Sequence, residues 1–316
     1  MVNVSACVLS YNRADYLCEA IDSVLQQTIR PAEILIFDNG SDSIVHERVR
    51  PYLKLGVIWI GSENTNSAIW NFHRAIKTAQ SDYLFMLHDD DRLSPTFIEE
   101  QANFLQSNKG VGAITCNGYL INSMGERTGG LIRSKSVSDC VKFYRSPAAV
   151  AIRYASDSCL PFSPVLYRAS FLRGQKLREE FGKVNDAVFF CDLAKAGILA
   201  YQPHPLYECR IHAAQDSSHF PTIELERLAN YFESETWGSS SELKELKALL
   251  VKQHTSRQLV KIYRCISSPS RILQIRTEIA GLKHHRFSFR AAVRICADAA
   301  VKRIIKVVRL RRLFAD

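Results

Sequence analysis

Between residues 2 and 116, short apolar runs alternate with stretches of helical periodicity, and a chain written this way has few ways to fold. The runs Val2–Leu9, Glu33–Phe37, Val57–Ile60, Tyr83–His88 and Gly112–Cys116 are of strand length and bounded by polar or turn residues. After the first run, Leu17, Ala20, Ile21, Val24 and Leu25 recur at the spacing of one helix face. Ile69, Phe72, Ile76 and Ala79 do the same before the fourth. A strand, a helix and another strand close as a right-handed crossover, which makes neighbouring strands parallel. The expectation is an α/β fold, a mainly parallel sheet flanked by helices. Such sheets bind ligands outside the carboxyl ends of their strands.

Those ends carry polar residues. Ser10, Tyr11, Asn12 and Arg13 follow the first run, Asp38-Asn39-Gly40-Ser41 the second, and Asp89, Asp90 and Asp91 the fourth. Adjacent carboxylates raise one another's pKa unless a cation lies among them. Hard oxygen ligands suit Mg²⁺ or Mn²⁺, above all where phosphate oxygens complete the coordination. Taken singly, each group has a plainer reading. The acidic triplet is a solvated turn, Asn12 and Asp15 start a helix, and Asp38 through Ser41 make a turn. His88 reads as a rim hydrogen-bonding residue, since imidazole matches Mg²⁺ less well than carboxylate does. Their joint appearance at one rim argues for a site.

The ordered set Val8-Leu9-Ser10-Tyr11-Asn12-Arg13, Ser23 through Thr28, Glu33 through Asp42, Glu63-Asn64 with Asn71, and His88-Asp89-Asp90-Asp91 resembles the nucleotide-binding half of family 2 glycosyltransferases. The resemblance is strong over residues 2–120 and looser over 155–220. It implies a Rossmann-like GT-A fold and a nucleotide-diphosphate sugar donor. It places Tyr11 against the base with Ser10 and Arg13 beside it, and Asp38 as a hydrogen-bond partner of the base. It puts Asn71 at the donor, and Asp89, Asp90 and Asp91 on a divalent metal and the ribose, with Asp89 and Asp91 as the metal pair. Two departures stand out: relatives often have aspartate at His88 and arginine at Trp70. Farther on, Asn185-Asp186 looks like the motif that opens a helix below the sugar, which makes Asp186 the expected general base. Arg210-Ile211-His212 resembles the family's closing strand, with His212 near the metal. Asp192, two turns past Asp186, is expected to be structural.

At 316 residues and 47% hydrophobic, the chain is long enough for a substantial core. No run approaches the ~20 apolar residues of a membrane-spanning helix, and Met1-Val2-Asn3 leads straight into a strand without a signal peptide. Nine cysteines lack any Cys-x-x-Cys spacing, which argues for reduced thiols rather than disulfides or zinc. Charge is uneven: from Arg257 onward 15 Lys and Arg stand against 3 acidic residues, a net +12, while the rest carries a net −3. Within 291–314, Val293, Ala297, Val301, Ile304 and Val308 share one helical side and Arg294, Lys302, Lys306 and Arg309 the other. A basic amphipathic helix of this kind fits an anionic membrane surface. Docking on the protein's own core is the alternative. Aromatic residues able to stack bases are too sparse for nucleic acid.

The sequence thus leads to a GT-A domain over 1–225, with nucleotide-sugar binding in 1–120 and the acceptor side in 121–225, and a basic helical C-terminal extension over 226–316. The activity the resemblance implies is inverting, metal-dependent sugar transfer to a hydroxyl. The expected acceptor is a lipid-linked glycan of bacterial surface polysaccharide, and the expected location the inner face of the cell membrane. A sugar-phosphate nucleotidyltransferase is the rival enzyme, disfavoured because no glycine-rich basic loop follows the first strand. A non-catalytic nucleotide-sugar or membrane-binding protein is the rival outside enzymes.

Overall fold

The computed structural model describes residues 2–63, 67–133, 140–156, 159–212, 222–234 and 237–250. The basic segment from Arg257, with its amphipathic stretch 291–314, lies outside the described residues. One compact unit runs from the N-terminus to Leu243, so helical chain after residue 225 is partly continuous with the catalytic half.

In chain order the elements are β1 (Val4–Ser10), α1 (Ala14–Leu25), β2 (Glu33–Asp38), α2 (Ser43–Leu53), β3 (Val57–Ile60), α3 (Ala68–Thr78) and β4 (Tyr83–His88). There follow β5 (Arg92–Leu93), α4 (Phe97–Ser107), β6 (Val111–Ile121), β7 (Arg127–Leu131), β8 (Lys142–Tyr144) and α5 (Pro147–Ala155). The last are β9 (Val165–Arg168), α6 (Ala169–Leu172), α7 (Asn185–Ala196), β10 (Ile198–Arg210) and α8 (Thr222–Ser234). A 3₁₀ turn over Glu179–Val184 leads into α7.

The sheet runs β3-β2-β1-β4-β9-β6-β10-β5, with β7 added to β6 and β8 to β10. Its first four strands are parallel, as the alternating pattern requires. In-register pairing brings Ser10 beside Asp38 and Leu9 beside His88, so three strand ends stop at one level. Helix α1 covers this part of the sheet with Leu17, Ala20, Ile21 and Val24, all fully buried. Helix α2 is not visible in the sequence pattern, because only Val45 and Val49 enter the core and Pro51 sits in its last turn.

Beyond β4 the sheet is mixed. Strand β9 slips in antiparallel between β4 and β6, and β10 runs parallel to β6 and antiparallel to β5. A four-residue strand entering the sheet from far downstream leaves no local periodic signal. This insertion matters for the site, since it carries the preceding loop, Leu160–Pro164, to the end of β4. The seven described cysteines are all free thiols, in keeping with their spacing. No described helix is long and apolar enough to cross a membrane.

Candidate active site

The site is assembled where β1, β2 and β4 end. At the β1 end Asn12 adopts a left-handed conformation, φ 53°, one of the few side chains that does so readily. Its Oδ1 accepts from Asp42 N at 2.8 Å, and its own N donates to Ser41 Oγ at 2.9 Å. The two loops are thereby tied together, and the turn at Asn12 aims the preceding amide at the acidic strand end. Tyr11 N donates to Asp89 Oδ2 at 2.8 Å, and Arg13 Nη1 to Asp89 Oδ1 at 2.9 Å. The Tyr11 ring stays 43% exposed, a flat apolar face at the rim.

At the β2 end Asp38 Oδ2 accepts from Gly40 N at 3.1 Å and Ser41 N at 3.0 Å. Gly40 makes this turn possible with φ 79°. Asp38 Oδ1 and Ser10 Oγ are buried without a hydrogen-bond partner among the described residues. Buried polar atoms in native proteins are nearly always satisfied. Two orphans on paired residues mark a place where a ligand's polar edge would complete the set.

Asn71, expected at the donor, is 3% exposed and faces inward. Its Nδ2 donates to Phe37 O at 2.7 Å and its Oδ1 accepts from Arg74 Nη1 at 3.2 Å. Arg74 also donates to the carbonyls of Asp38, Ile60 and Gly61 and lies 4.5 Å from the Trp70 ring centroid. Arg74 is thus spent on three backbone carbonyls, and Asn71 holds the end of β2 through Phe37 O. Arg74 was missed in the sequence, although its place one turn after Asn71 is a readable signal.

The acidic turn departs most from expectation. Asp89, Asp90 and Asp91 are 1%, 9% and 4% exposed. Asp91 N bonds back to His88 O at 3.2 Å, and this tight turn sends successive side chains in different directions. Asp89 is drawn under β1 by Tyr11 N and Arg13. The ligand atoms of His88, Asp90 and Asp91 instead converge, all within 4.8 Å of one another. Opposite ligands of a Mg²⁺-sized ion stand about 4.2 Å apart, so a small closure would fit these three around a cation. The convergent set is therefore not the expected Asp89–Asp91 pair, and it includes His88, which the sequence reading kept out of the coordination. His212 lies beside it: Nε2 is 3.0 Å from Asp90 Oδ2, and its ring is 5.6 Å from that of Tyr16.

Electrostatics support the same grouping. Burial pushes Asp89 up to about 7, against the pull of Arg13 and the Tyr11 amide. Burial, then repulsion from Asp90 and Asp89, drives Asp91 well above the usual carboxylate range, although Arg210 N donates to its Oδ1 at 3.0 Å. Burial works against ionised Asp90 too, but His88, the His212 hydrogen bond and Arg13 outweigh it and hold Asp90 below the usual range. A buried carboxylate beside like charges is the environment a divalent cation relieves.

Arg210 anchors this turn from within the protein. It is 1% exposed, and its Nε donates to Asp90 O at 2.8 Å. Its Nη2 meets Glu19 at 2.6 Å, and its guanidinium lies 4.2 Å from the Tyr16 ring centroid. Arg92 joins the same network through Glu19 and Glu208. No motif or periodicity in the sequence marks Glu19, Tyr16 or Arg92.

On the other side, the loop before β9 meets the end of β4. Ser163 Oγ accepts from His88 N at 3.3 Å, and the Phe162 ring lies 6.5 Å from His88 and 5.8 Å from Phe190 of α7. Asp186 stands in the first turn of α7, one turn before Phe190. Tyr154 donates its hydroxyl to Asp186 Oδ2 at 3.2 Å. Burial pushes Asp186 up to about 6, opposed by the Ala187 amide and Tyr154. A carboxylate poised near neutrality is suited to taking a proton. Asp192 pairs with Arg178 at 2.7 Å and Lys195 at 3.2 Å and accepts from Tyr231, as a structural residue would.

The parallel part of the sheet thus ends in a cluster of His88, Asp90 and Asp91 beside an unsatisfied polar edge. The profile of Glycosyl transferase family 2 matches residues 5–189, and the chain belongs to that family. An uncharacterised glycosyltransferase of Haemophilus influenzae is 25% identical over 224 residues, 68% of this chain and 67% of that protein. One from Bacillus subtilis is 28% identical over 106 residues, and the match covers 34% of this chain and only 39% of the relative. Among solved structures, S. aureus TarS 1-349 in complex with UDP-GlcNAc superimposes with TM-score 0.61 at 14% identity, covering 79% of this chain and 72% of that one. The mannosyltransferase PcManGT of Pyrobaculum calidifontis, in complex with GDP-Man and Mn²⁺, gives 0.56 at 14% identity, covering 95% and 80%. The fold is GT-A, and the chain is a glycosyltransferase.

Proposed function

We propose that the protein transfers a sugar from a nucleotide-diphosphate donor to an acceptor hydroxyl with inversion at the anomeric carbon. The observation that carries this reading is the side-by-side placement of the His88, Asp90 and Asp91 cluster and the unsatisfied Asp38 Oδ1 and Ser10 Oγ. The first suits a metal-bound diphosphate and the second the polar edge of a base, with the exposed Tyr11 ring as a stacking face. His88, Asp90 and Asp91 would hold Mn²⁺ or Mg²⁺, with His212 supporting Asp90. The metal would supply positive charge to the departing diphosphate. TarS and PcManGT, of the same fold, were solved with UDP-GlcNAc and with GDP-Man and Mn²⁺, which supports a donor of this class.

Asp186 takes the acceptor hydroxyl proton. The freed oxygen attacks the anomeric carbon from the face opposite the leaving group, and the new C–O bond forms as the bond to the diphosphate oxygen breaks. The leaving oxygen departs with the electron pair, so one displacement inverts the centre. The basic C-terminal segment, net +12 from Arg257 onward, supports a lipid-linked glycan acceptor of a bacterial surface polysaccharide and attachment to the inner face of the membrane. The test is a panel of UDP-, GDP-, TDP- and CMP-sugars with Mn²⁺ or Mg²⁺, read as nucleotide release and as anomeric proton coupling in the product. Metal-dependent turnover of a diphosphate donor with inverted product is expected; retention, or no release from any donor, overturns the reading.

A further inference from the structure

The acceptor half contains a pair of arginines that the transfer chemistry above does not use. Arg153 lies in the last turn of α5, and its guanidinium sits 6.0 Å from the Tyr201 ring centroid in β10. Arg133 follows β7, and Asn117 of β6 fixes its backbone: Oδ1 accepts from Arg133 N at 3.0 Å and Nδ2 donates to Arg133 O at 3.1 Å. Burial and then Arg153 beside it pull the Arg133 guanidinium below its ordinary range, and both arginines act on the Tyr144 and Tyr201 hydroxyls. Arg153 makes no ion pair with any described residue, and its Nε is buried with no hydrogen-bond partner.

The surroundings connect this pair to the reacting end. Tyr154, the next residue along α5, donates to Asp186. Cys159 is exposed, and its thiol feels Arg133, Asp186 and Arg153 together. Two guanidiniums, two phenols and the expected base therefore share one neighbourhood that opens to solvent at Cys159. A buried guanidinium N–H without an acceptor is rare in a finished structure. The planar fork of arginine matches carboxylate and phosphate oxygens better than any other group.

We propose that Arg153, with Arg133 beside it, binds an anionic group of the acceptor, a phosphate or a carboxylate carried near the hydroxyl that Asp186 deprotonates. This rests on the transferase reading and gives its acceptor a chemical class. Tyr144 and Tyr201 are themselves buried, and they lie beside the two guanidiniums as an apolar backing. Phosphate and uronic acid carboxylate share the recognition chemistry, and titration separates them.

The experiment is calorimetric titration of the full-length protein with inorganic phosphate and with glucuronate, repeated in the presence of saturating UDP and Mn²⁺ for glucuronate. Saturable binding of one or both is expected, and the tighter of the two names the acceptor's charge. R153Q should weaken it about tenfold or more, the usual worth of a charge-assisted pair, and R153K, which keeps the charge and loses the fork, by less. The melting curve of each variant is recorded alongside, and if R153Q fails to fold, a several-fold loss in folded R153K carries the test. Unaltered anion binding in the folded variants, displacement of glucuronate by UDP, or no saturable binding at all overturns the assignment. A wild-type protein that binds no nucleoside diphosphate would instead strike at the transferase reading, and the phosphate titration would still decide on the arginines.

Discussion

Replacing Asp186 by Asn separates a proton acceptor from a structural carboxylate, because the two roles predict opposite signs. The folded-state pKa is raised from 3.8 to about 6, chiefly by burial. With that value, about a tenth of Asp186 is ionised at pH 5 and about nine tenths at pH 7, so turnover should rise roughly tenfold across the interval. An unshifted carboxylate would already be ionised at pH 5 and give a flat profile. D186N should lower turnover by about 10²–10⁴ and remove the rise, with nucleotide affinity unchanged. The stability effect follows from the same shift. A group whose folded pKa lies above its unfolded one favours the folded state at low pH. That contribution declines as pH rises from 3.8 through about 6. Above pH 6 the ionised side chain costs up to about 3 kcal/mol, so D186N should melt higher than wild type at pH 7.5. A carboxylate held by the helix dipole predicts a loss of about 0.3–1 kcal/mol instead. Rates of nucleotide release between pH 5 and 8, with melting curves at pH 7.5, decide it. A flat wild-type profile combined with a destabilised D186N would refute the reasoning.

Three further outcomes are expected. D89N should weaken donor binding by releasing Arg13 and the Tyr11 amide while leaving its metal dependence intact, whereas D90A or D91A should abolish the metal dependence; calorimetry with and without Mn²⁺ distinguishes the two patterns. R210M should destabilise the fold by about 1–3 kcal/mol in urea unfolding, since it strips the buried donor from Asp90 O and leaves Glu19 with Arg92 alone. Deleting residues 286–316 removes 9 basic and 2 acidic residues and should end co-sedimentation with anionic vesicles while sparing donor binding; a full-length protein that ignores such vesicles removes the membrane proposal.

What was legible in the sequence follows from which signals are local. Strands β1, β2 and β4 are buried on both faces, so they read as apolar runs, and the polar residues after them had to share a rim. That alone places Ser10, Tyr11, Asp38 and the acidic turn together. Helix α7 opening at Asn185-Asp186 was equally readable, from motif and apolar face. The direction of each carboxylate was not, because the bond from Asp91 N to His88 O turns the chain within a few residues. Asp89 is claimed by β1, and His88 swings into the cluster. Interior ions were the other omission. Arg74 and Glu19 look like helix-face charges until long-range pairing draws them in, and Arg153 acquires meaning only when β10 brings Tyr201 beneath it. The antiparallel place of the short strand β9 between β4 and β6 is a long-range fact with no local trace.

The central claim is that the His88, Asp90 and Asp91 cluster holds a cation that in turn holds a nucleoside diphosphate. Calorimetric titration of UDP and GDP into metal-free protein, then into protein with Mn²⁺, tests it most directly. The account predicts tight binding of one nucleotide with Mn²⁺, a large loss on chelation, and the same loss in D90A D91A whether or not metal is present. Equal affinity with and without metal, in a folded D90A D91A variant that still binds the nucleotide, would contradict it.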